Sequence, residues 1–542
     1  MGLFSVGSRP RTAPPQHYEV EDIAPCELVE VLLSTYPELA VRPGLLRLVV
    51  HILRSPDQVH GAVFLPASFL AEILGRQEAA ARKKAVTRLA ISDLRAALSA
   101  RATGIPGALH IQPAQHGRHL ATGFKLEVPE HVRRLADESV GFPDEGPVTI
   151  NGWCRVFPDA TRTELSDTST LRQEMADMVD DQGGSELSRT LQSYLNGHDP
   201  RVFQALRRAV CSDEAADWVR STVPAGPKRG AIARTFRSIL AQPVPIYATS
   251  TRTARISAVG RNVTSLPSAV RQWLTGRVGW MELDLTQAQL ACNAKAWDVP
   301  LVLEALGDPG YRLWDDLIRG LGVDAAVLEA DPELYRKVKR ALKQPVYGVS
   351  FGMSHHNLKN LGLLKYDKKR DRWVKGNDWA TVSGALGELG VTVPEAAAVV
   401  LDHPVIKAML VARKEQMAIV RAEGGMTDVL GIRHELRPAV KTGPERQKAV
   451  EPRHVLARVA QSRELNLLRP VIEDAIAESS KKRPNYRIVL WQHDGFTVST
   501  KGSKVEDLRR IGRRLQRLVA DRAEALGVPT ALRVDVGPDL DG

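Results

Sequence analysis

The sequence predicts an α+β protein, mostly helical and built from several domains. Apolar residues recur at helical spacing through residues 25–105 and again through 164–245. From about residue 246 the texture changes, and short apolar strands alternate with helices. A length of 542 residues leaves room for about three or four domains.

Apolar residues make up 43% and charged residues 25%, the balance of a globular chain. Lys and Arg number 74 against 63 Asp and Glu, and a net charge of +11 favours a polyanionic partner, nucleic acid first. Cys26, Cys154, Cys211 and Cys292 form no C-x-x-C pair, so neither a zinc ribbon nor a disulfide framework is indicated, and a reduced, cytoplasmic setting fits. The N-terminus has no signal-type apolar run, and no stretch approaches the roughly 20 apolar residues of a membrane helix, so no membrane partner is expected.

Residues 1–24, rich in Pro and Arg, read as a disordered tail. Residues 25–130 read as a helical accessory domain that opens with LVEVLLSTY and GLLRLVVHIL. LPASFLAEILG and AVTRLAISDLRAAL then flank a Gly stop, which fits an ordinary helical bundle or a helix-turn-helix; short strands at 108–112 and 122–128 would suit a wing. Residues 131–163, rich in Pro, Gly and Asp, read as a linker. Residues 164–245 are helical and amphipathic, with a basic run at Arg207 and Arg208.

Three later segments carry chemistry. WMELDLTQAQLACNAKAW (280–297) passes from strand-type alternation to an amphipathic helix, with Asp284 at the switch. A carboxylate on a rigid strand end suits a metal ligand, and a helix N-cap is the plainer alternative. YRIVLWQHDGFTVST (486–500) reads as strand, turn, strand. Asp494-Gly495 is a hairpin turn signal, and the bulky Trp491 and His493 mark a tip suited to presenting a second carboxylate. In ELYRKVKRALKQPVYGVSFGMS (333–354), Lys339, Lys343 and Tyr347 stand at i, i+4 and i+8 on one helix face. Two amines and a ring on one stripe suit a nucleoside triphosphate; a solvated basic face is the alternative.

In this order the segments resemble the catalytic core of family A polymerases, the relatives of bacterial DNA polymerase I. Asp284-Leu285-Thr286-Gln287-Ala288-Gln289-Leu290 is similar to the family's D-S-Q-x-E-L motif. Lys339, Lys343, Tyr347, Gly348, Phe351, Gly352, Met353 and Ser354 fall on the family's fingers helix, and His493-Asp494-Gly495 on its H-D-E. TARISAVGRNVTSLP (253–267) is similar to T-G-R-L-S-S-x-x-P-N-L-Q-N-I-P, and Arg453 and Gln461 match the spacing on the helix along the template. The resemblance spans about residues 246–542.

The resemblance implies a right-hand polymerase fold: thumb-like 164–245, palm 246–300 and 426–542, fingers 301–425. It implies two Mg²⁺ ions held by Asp284, Asp494 and the Leu285 carbonyl. Lys339 and Lys343 would take the triphosphate, with Lys343 as proton donor to pyrophosphate, and Tyr347 would stack on the new base pair. Gln289 and Phe351 would face the sugar, and Arg255, Asn262, Arg453, Gln461 and His493 would contact the primer–template. The implied activity is DNA-directed DNA polymerisation in the replication of a phage, plasmid or other mobile element. Partners would be a DNA primer–template, nucleoside triphosphates and replication accessory proteins. Residues 1–245 carry no D-x-E strand followed by paired aspartates, so no proofreading nuclease is expected.

Four features depart from the family pattern. Lys339 replaces an Arg, Pro345 falls inside the fingers helix, Gly495 replaces a Glu, and Gln289 and Phe351 replace the Glu–Tyr pair that excludes a ribose 2′-hydroxyl. The fingers helix and His493-Asp494-Gly495-Phe496 also look like single-subunit RNA polymerases. A primase or RNA polymerase is therefore the alternative, and a non-catalytic DNA-binding replication protein the third reading.

Overall fold

The computed structural model divides the chain into two compact units. One comprises Met1–Asp181, Leu195–Ala248 and Ala258–Gly279; the other comprises Gln182–Tyr194, Thr249–Ser257 and Trp280–Gly542. The structure describes residues 23–540 apart from 43, 55–57, 60–61, 66, 75–82, 100–107, 113–121, 138–147, 149, 151, 157–161, 165–183, 226, 251–252, 324–330, 351, 354, 368–371, 377–378, 440–448, 493–494 and 502–503.

In the first unit the apolar periodicity folds into α1 (Cys26–Thr35) and α2 (Leu45–Arg54). Strands β1 (Gln58–Val59) and β2 (Ala62–Leu65) follow, then α3 (Ala67–Ile73), α4 (Lys83–Ser99), β3 (Ala108–Gln112), β4 (Thr122–Glu127) and α5 (Glu130–Asp137). The strands form an antiparallel sheet in the order β1-β2-β4-β3. This segment is thus a helix-and-sheet layer pair, with strands at both segments expected to be extended.

Two expectations change here. Ile23 and Ala24, placed in a disordered tail, belong to a strand paired with Trp153–Val156; residues 1–22 lie outside the described residues. The segment read as a linker holds most of α5 and two strands, Trp153–Val156 and Arg162–Glu164. The reason is burial: Ala24, Val132, Ala136, Cys154 and Val156 all sit in the same apolar core as α1 and α2. Trp153 is flanked by the Arg54 and Arg237 guanidinium groups, 4.9 and 4.4 Å from its ring centroid.

The amphipathic stretch supplies α6 (Gln204–Val210), α7 (Asp213–Thr222), α8 (Pro227–Ala241) and, later in the chain, α9 (Ser268–Arg277). Ser212 caps α7 by accepting from the Ala215 N–H. Trp218 of α7 stacks on Trp273 of α9 with centroids 5.2 Å apart.

The second unit is organised by one antiparallel sheet. Its strands are β5 (Met281–Leu285), β8 (Tyr486–Gln492), β9 (Gly495–Thr500) and β10 (Leu532–Val536), ordered β8-β9-β5-β10. Between β5 and β8 run α10 (Ala288–Ala296), α11 (Pro332–Ser350), the hairpin β6 (Leu364–Asp367) and β7 (Arg372–Lys375), α12 (Trp379–Gly387), α13 (Pro404–Ala422), α14 (Pro452–Leu467) and α15 (Arg469–Ser479). The helix α16 (Val505–Leu526) joins β9 to β10. Edge strand β8 is covered in part by Tyr194, whose hydroxyl accepts from the Ile488 N–H at 3.0 Å; burial pushes that phenol up to about 12. Cross-strand stacking of Trp491 on Phe496, centroids 5.9 Å apart, accounts for the bulky flanks of the 486–500 hairpin.

Helix α11 is continuous through Pro345, although the ring removes the bond to the Ala341 carbonyl. Its last turn is capped from α13: the buried Arg413 donates through Nη1 to the Val349 and Gly348 carbonyls, at 2.9 and 3.3 Å. Burial, then the nearby Arg453, lowers the Arg413 pKa. Arg413→Ala takes the side-chain donor from the Val349 carbonyl, while the Gly348 carbonyl keeps its bond from the Met353 N–H at 2.8 Å, so we expect a loss of about 1–2 kcal/mol. A lower urea midpoint at unchanged slope would show it, and an unchanged midpoint would dismiss the capping role. Among the described residues, no helix is long and apolar enough to cross a membrane.

Candidate active site

The alternation M-E-L-D-L makes β5 the second interior strand of the sheet, with Met281, Glu282, Leu283 and Leu285 buried and Asp284 partly open. Asp284 is paired with Gly495 on β9 and with Arg533 on β10. A β-carbon on Gly495 would lie 2.8 Å from the Leu283 carbonyl oxygen and 2.9 Å from Asp284 Oδ1. Glycine therefore makes the space into which the Asp284 carboxylate leans. Asp494, which precedes Gly495, and His493 lie outside the described residues.

The loop after β5 is pinned on both sides. Thr286 N donates to the Ala531 carbonyl at 2.8 Å, and Thr530 Oγ1 donates to the Thr286 carbonyl at 2.7 Å. Gln287 then adopts a left-handed conformation, φ 52°, to start α10. A non-glycine residue held there is strained, and such strain clusters at functional turns. Leu285, the expected carbonyl ligand, is the buried last residue of β5 and pairs with Leu532.

On α11, Lys343 is exposed with Nζ 5.3 Å from the Tyr347 ring centroid, so these two residues share a face as their spacing implies. Lys339 is half-buried, with Nζ 5.8 and 5.9 Å from the Trp314 and Tyr335 rings. Its pKa is lowered first by burial, then by Arg533 and Lys343, against the pull of Asp315 and Asp535. Arg533 is the residue paired with Asp284. The helix cations and the strand beside the carboxylate are thus within electrostatic reach of each other. An anion arriving there would relieve the repulsion that depresses Lys339.

The remaining candidates separate into three groups. Arg255, on the strand Thr253–Val259, is tied to α14: its Nη2 lies 3.4 Å from the carboxylate of Glu464, which is 3% exposed. The same helix carries Arg453 and Gln461. Arg453 lies 2.8 Å from Glu451 and packs its β-carbon where a side chain on Gly352 (φ +73°) would sit. Asn262 belongs to the other compact unit and is buried. Its Oδ1 accepts from Thr264 N and Oγ1, and its Nδ2 donates to the Val259 and Gly260 carbonyls, so its amide is engaged within its own turn. Phe351 and Ser354 lie outside the described residues.

Gln289 of α10 is 3% exposed, and among the described residues its Nε2 has no hydrogen-bond acceptor. One turn on, buried Asn293 accepts from Arg463 Nη1 at 2.9 Å. Burial lowers Arg463 to about 10, and burial with Glu464 pushes the neighbouring Cys292 thiol up to about 12. Glu464, Arg463 and Arg533 escaped the sequence reading, as did Glu282. The alternation of β5 does place Glu282 on the face of Asp284, buried and opposite Thr497. Among the described residues, no three His, Cys, Asp or Glu side chains converge as a metal cluster. The donors fit Mg²⁺ in kind: a hard carboxylate oxygen leans into room that a β-carbon at residue 495 would fill.

No protein-family model matches the sequence, and no curated protein matches it. Among solved structures, the chain is similar to the POL domain of Pol1 from M. smegmatis in complex with DNA primer-template and dNTP. The identity is 16%, the TM-score 0.37, and the match covers 91% of this chain and 81% of that one.

Proposed function

We propose that the chain is a template-directed nucleotidyltransferase, a DNA-directed DNA polymerase without a proofreading nuclease. One observation carries this reading. Asp284, on an interior strand, abuts Gly495 of the hairpin that bears Asp494, while its other neighbour Arg533 acts electrostatically on Lys339 of α11. These residues, some about half the chain apart, supply the carboxylates and cations that this reading needs.

Asp284 and Asp494 would hold two Mg²⁺ ions, which would supply charge neutralisation for phosphoryl transfer. Lys339, Lys343 and Arg533 draw in the triphosphate, and Lys343, whose amine is exposed, gives its proton to the pyrophosphate oxygen. Tyr347 stacks on the new base pair. Arg255, oriented by Glu464, contacts the primer–template together with Arg453 and Gln461.

A ribonucleotide-using primase or RNA polymerase is the second reading. The buried Gln289 Nε2 favours it, because a donor without an acceptor suits a ribose 2′-oxygen. Primer extension on a DNA template with Mg²⁺ tests both, with deoxy- and ribonucleotides supplied separately and chelator as control. Extension with deoxynucleotides alone supports the DNA polymerase. Equal or better extension with ribonucleotides moves the assignment to the second reading, and none with either, on folded protein, overturns the catalytic assignment.

A further inference from the structure

We propose that the outer face of α16 is a second nucleic-acid surface, one that holds the phosphate backbone of a duplex through an arginine stripe. Residues 509–517 hold five Arg and no acid, so one short stretch carries +5 where the whole chain carries +11. The inner face of the helix is apolar, with Leu508, Ile511, Leu515 and Val519 buried. A β-carbon on Gly512 would lie 3.2 Å from Met281 Cε. Met281 alternates with Glu282 along β5, so α16 covers the sheet face opposite the one that carries Glu282 and Asp284. The stripe is therefore separate from the nucleotidyl-transfer site.

The five arginines line one groove with Glu506 at its start, and they divide into two sets. Arg510 pairs with Asp507 at 2.9 Å, and Arg514 with Asp474 and, at 3.9 Å, Glu478. Arg509, Arg513 and Arg517 have no ion pair among the described residues. They stand at i, i+4 and i+8, stacked about 6 Å apart along the helix. Two are held from behind: Arg509 Nε donates to the Asp539 carbonyl at 2.9 Å and Arg513 Nε to the Leu540 carbonyl at 2.7 Å. Like charges four residues apart repel on a helix, and a polyanion laid along the stripe removes that repulsion. Arginine meets phosphate through a planar, two-point fork. A protein partner would need an apolar centre to its interface, yet Ile511 and Leu515, the large apolar residues between these arginines, are buried. Unpaired bases would need aromatic rings to stack on, and α16 carries none. A duplex hides its bases and presents a charged backbone, so it asks for neither. The binding needs neither Mg²⁺ nor turnover.

The test is fluorescence anisotropy of the full chain with a labelled blunt DNA duplex and, in a parallel arm, the RNA duplex of the same sequence, without metal or nucleotide, across a salt series. The nucleotidyl-transfer site is expected to hold a duplex too, so the stripe is read by difference. Arg509→Gln with Arg513→Gln and Arg517→Gln should lower the salt slope by about two to three. Arg509→Lys with Arg513→Lys and Arg517→Lys keeps the charge and should keep most of the slope. On the unaltered protein, either duplex should protect the peptides spanning residues 509–517 from phenylglyoxal, a reading that does not depend on any variant folding. Similar binding in both arms identifies a site that reads backbone charge alone, and a preference for one identifies the helical form it fits. An unchanged slope in the Gln variant, no protection of these peptides, or better protection by oligoglutamate of equal charge would overturn the proposal, whether or not the chain extends primers.

Discussion

Asp284→Asn is expected to lower single-turnover nucleotide incorporation about a thousandfold while leaving the fold intact. The substitution keeps the shape of the side chain and removes only its charge. Asp284 is partly open to solvent, so a neutral amide costs little in stability. Its catalytic cost is larger. A carboxylate that helps hold divalent ions contributes several kcal/mol to the charge developing in the transition state, and about 4 kcal/mol corresponds to a thousandfold in rate. Primer–template affinity should change little, because the cations and Arg255 remain. Rapid-quench incorporation at saturating nucleotide, with a urea titration on the same sample, separates the two effects. A variant within about tenfold of the parent would show that Asp284 is not a ligand of the reacting centre.

Much of this site was legible because its pieces are local patterns. The strand alternation around Asp284, the D-G turn after β8 and the i, i+4, i+8 stripe of α11 each lie within one short window. What escaped depends on partners far apart in the chain. Glu464 holds Arg255 from 209 residues away, and nothing near either residue signals the pair. Arg533 matters because β10 lies beside β5, although L-R-V-D-V does alternate as a strand should. The β6–β7 hairpin went unread because its strands have four residues each and the intervening K-K-R-D lacks the Gly, Asn or Pro that marks a turn. The linker expected at 131–163 failed for the opposite reason. Its Pro, Gly and Asp content outweighed the few apolar residues, such as Val132 and Val156, that the core takes in.

Gly495→Ala is expected to disturb both the sheet and the reacting centre. As a departure from the family pattern, Gly495 looked like the loss of an acidic neighbour; the sheet gives it a steric role. A methyl group there would meet the Leu283 carbonyl at 2.8 Å and Asp284 Oδ1 at 2.9 Å, closer than carbon approaches either atom without movement. The carbonyl belongs to an interior strand bonded on both sides, so the Asp284 carboxylate is the group that must shift. Overpacking of this kind costs about 1–3 kcal/mol in stability, and displacing a reacting group by about 1 Å costs about a hundredfold in rate. We therefore expect incorporation to fall about a hundredfold with a higher Mg²⁺ requirement, a pattern that simple unfolding would not produce. Gly495→Glu, which restores the family residue, should be worse, since its β-carbon meets the same two oxygens and its carboxylate adds repulsion toward Asp284. Incorporation measured across a Mg²⁺ series, beside urea midpoints for both variants, decides the matter. If the glutamate variant matched or exceeded the parent, the strands would have to part more readily than this register allows, and Gly495 would be a neutral turn residue.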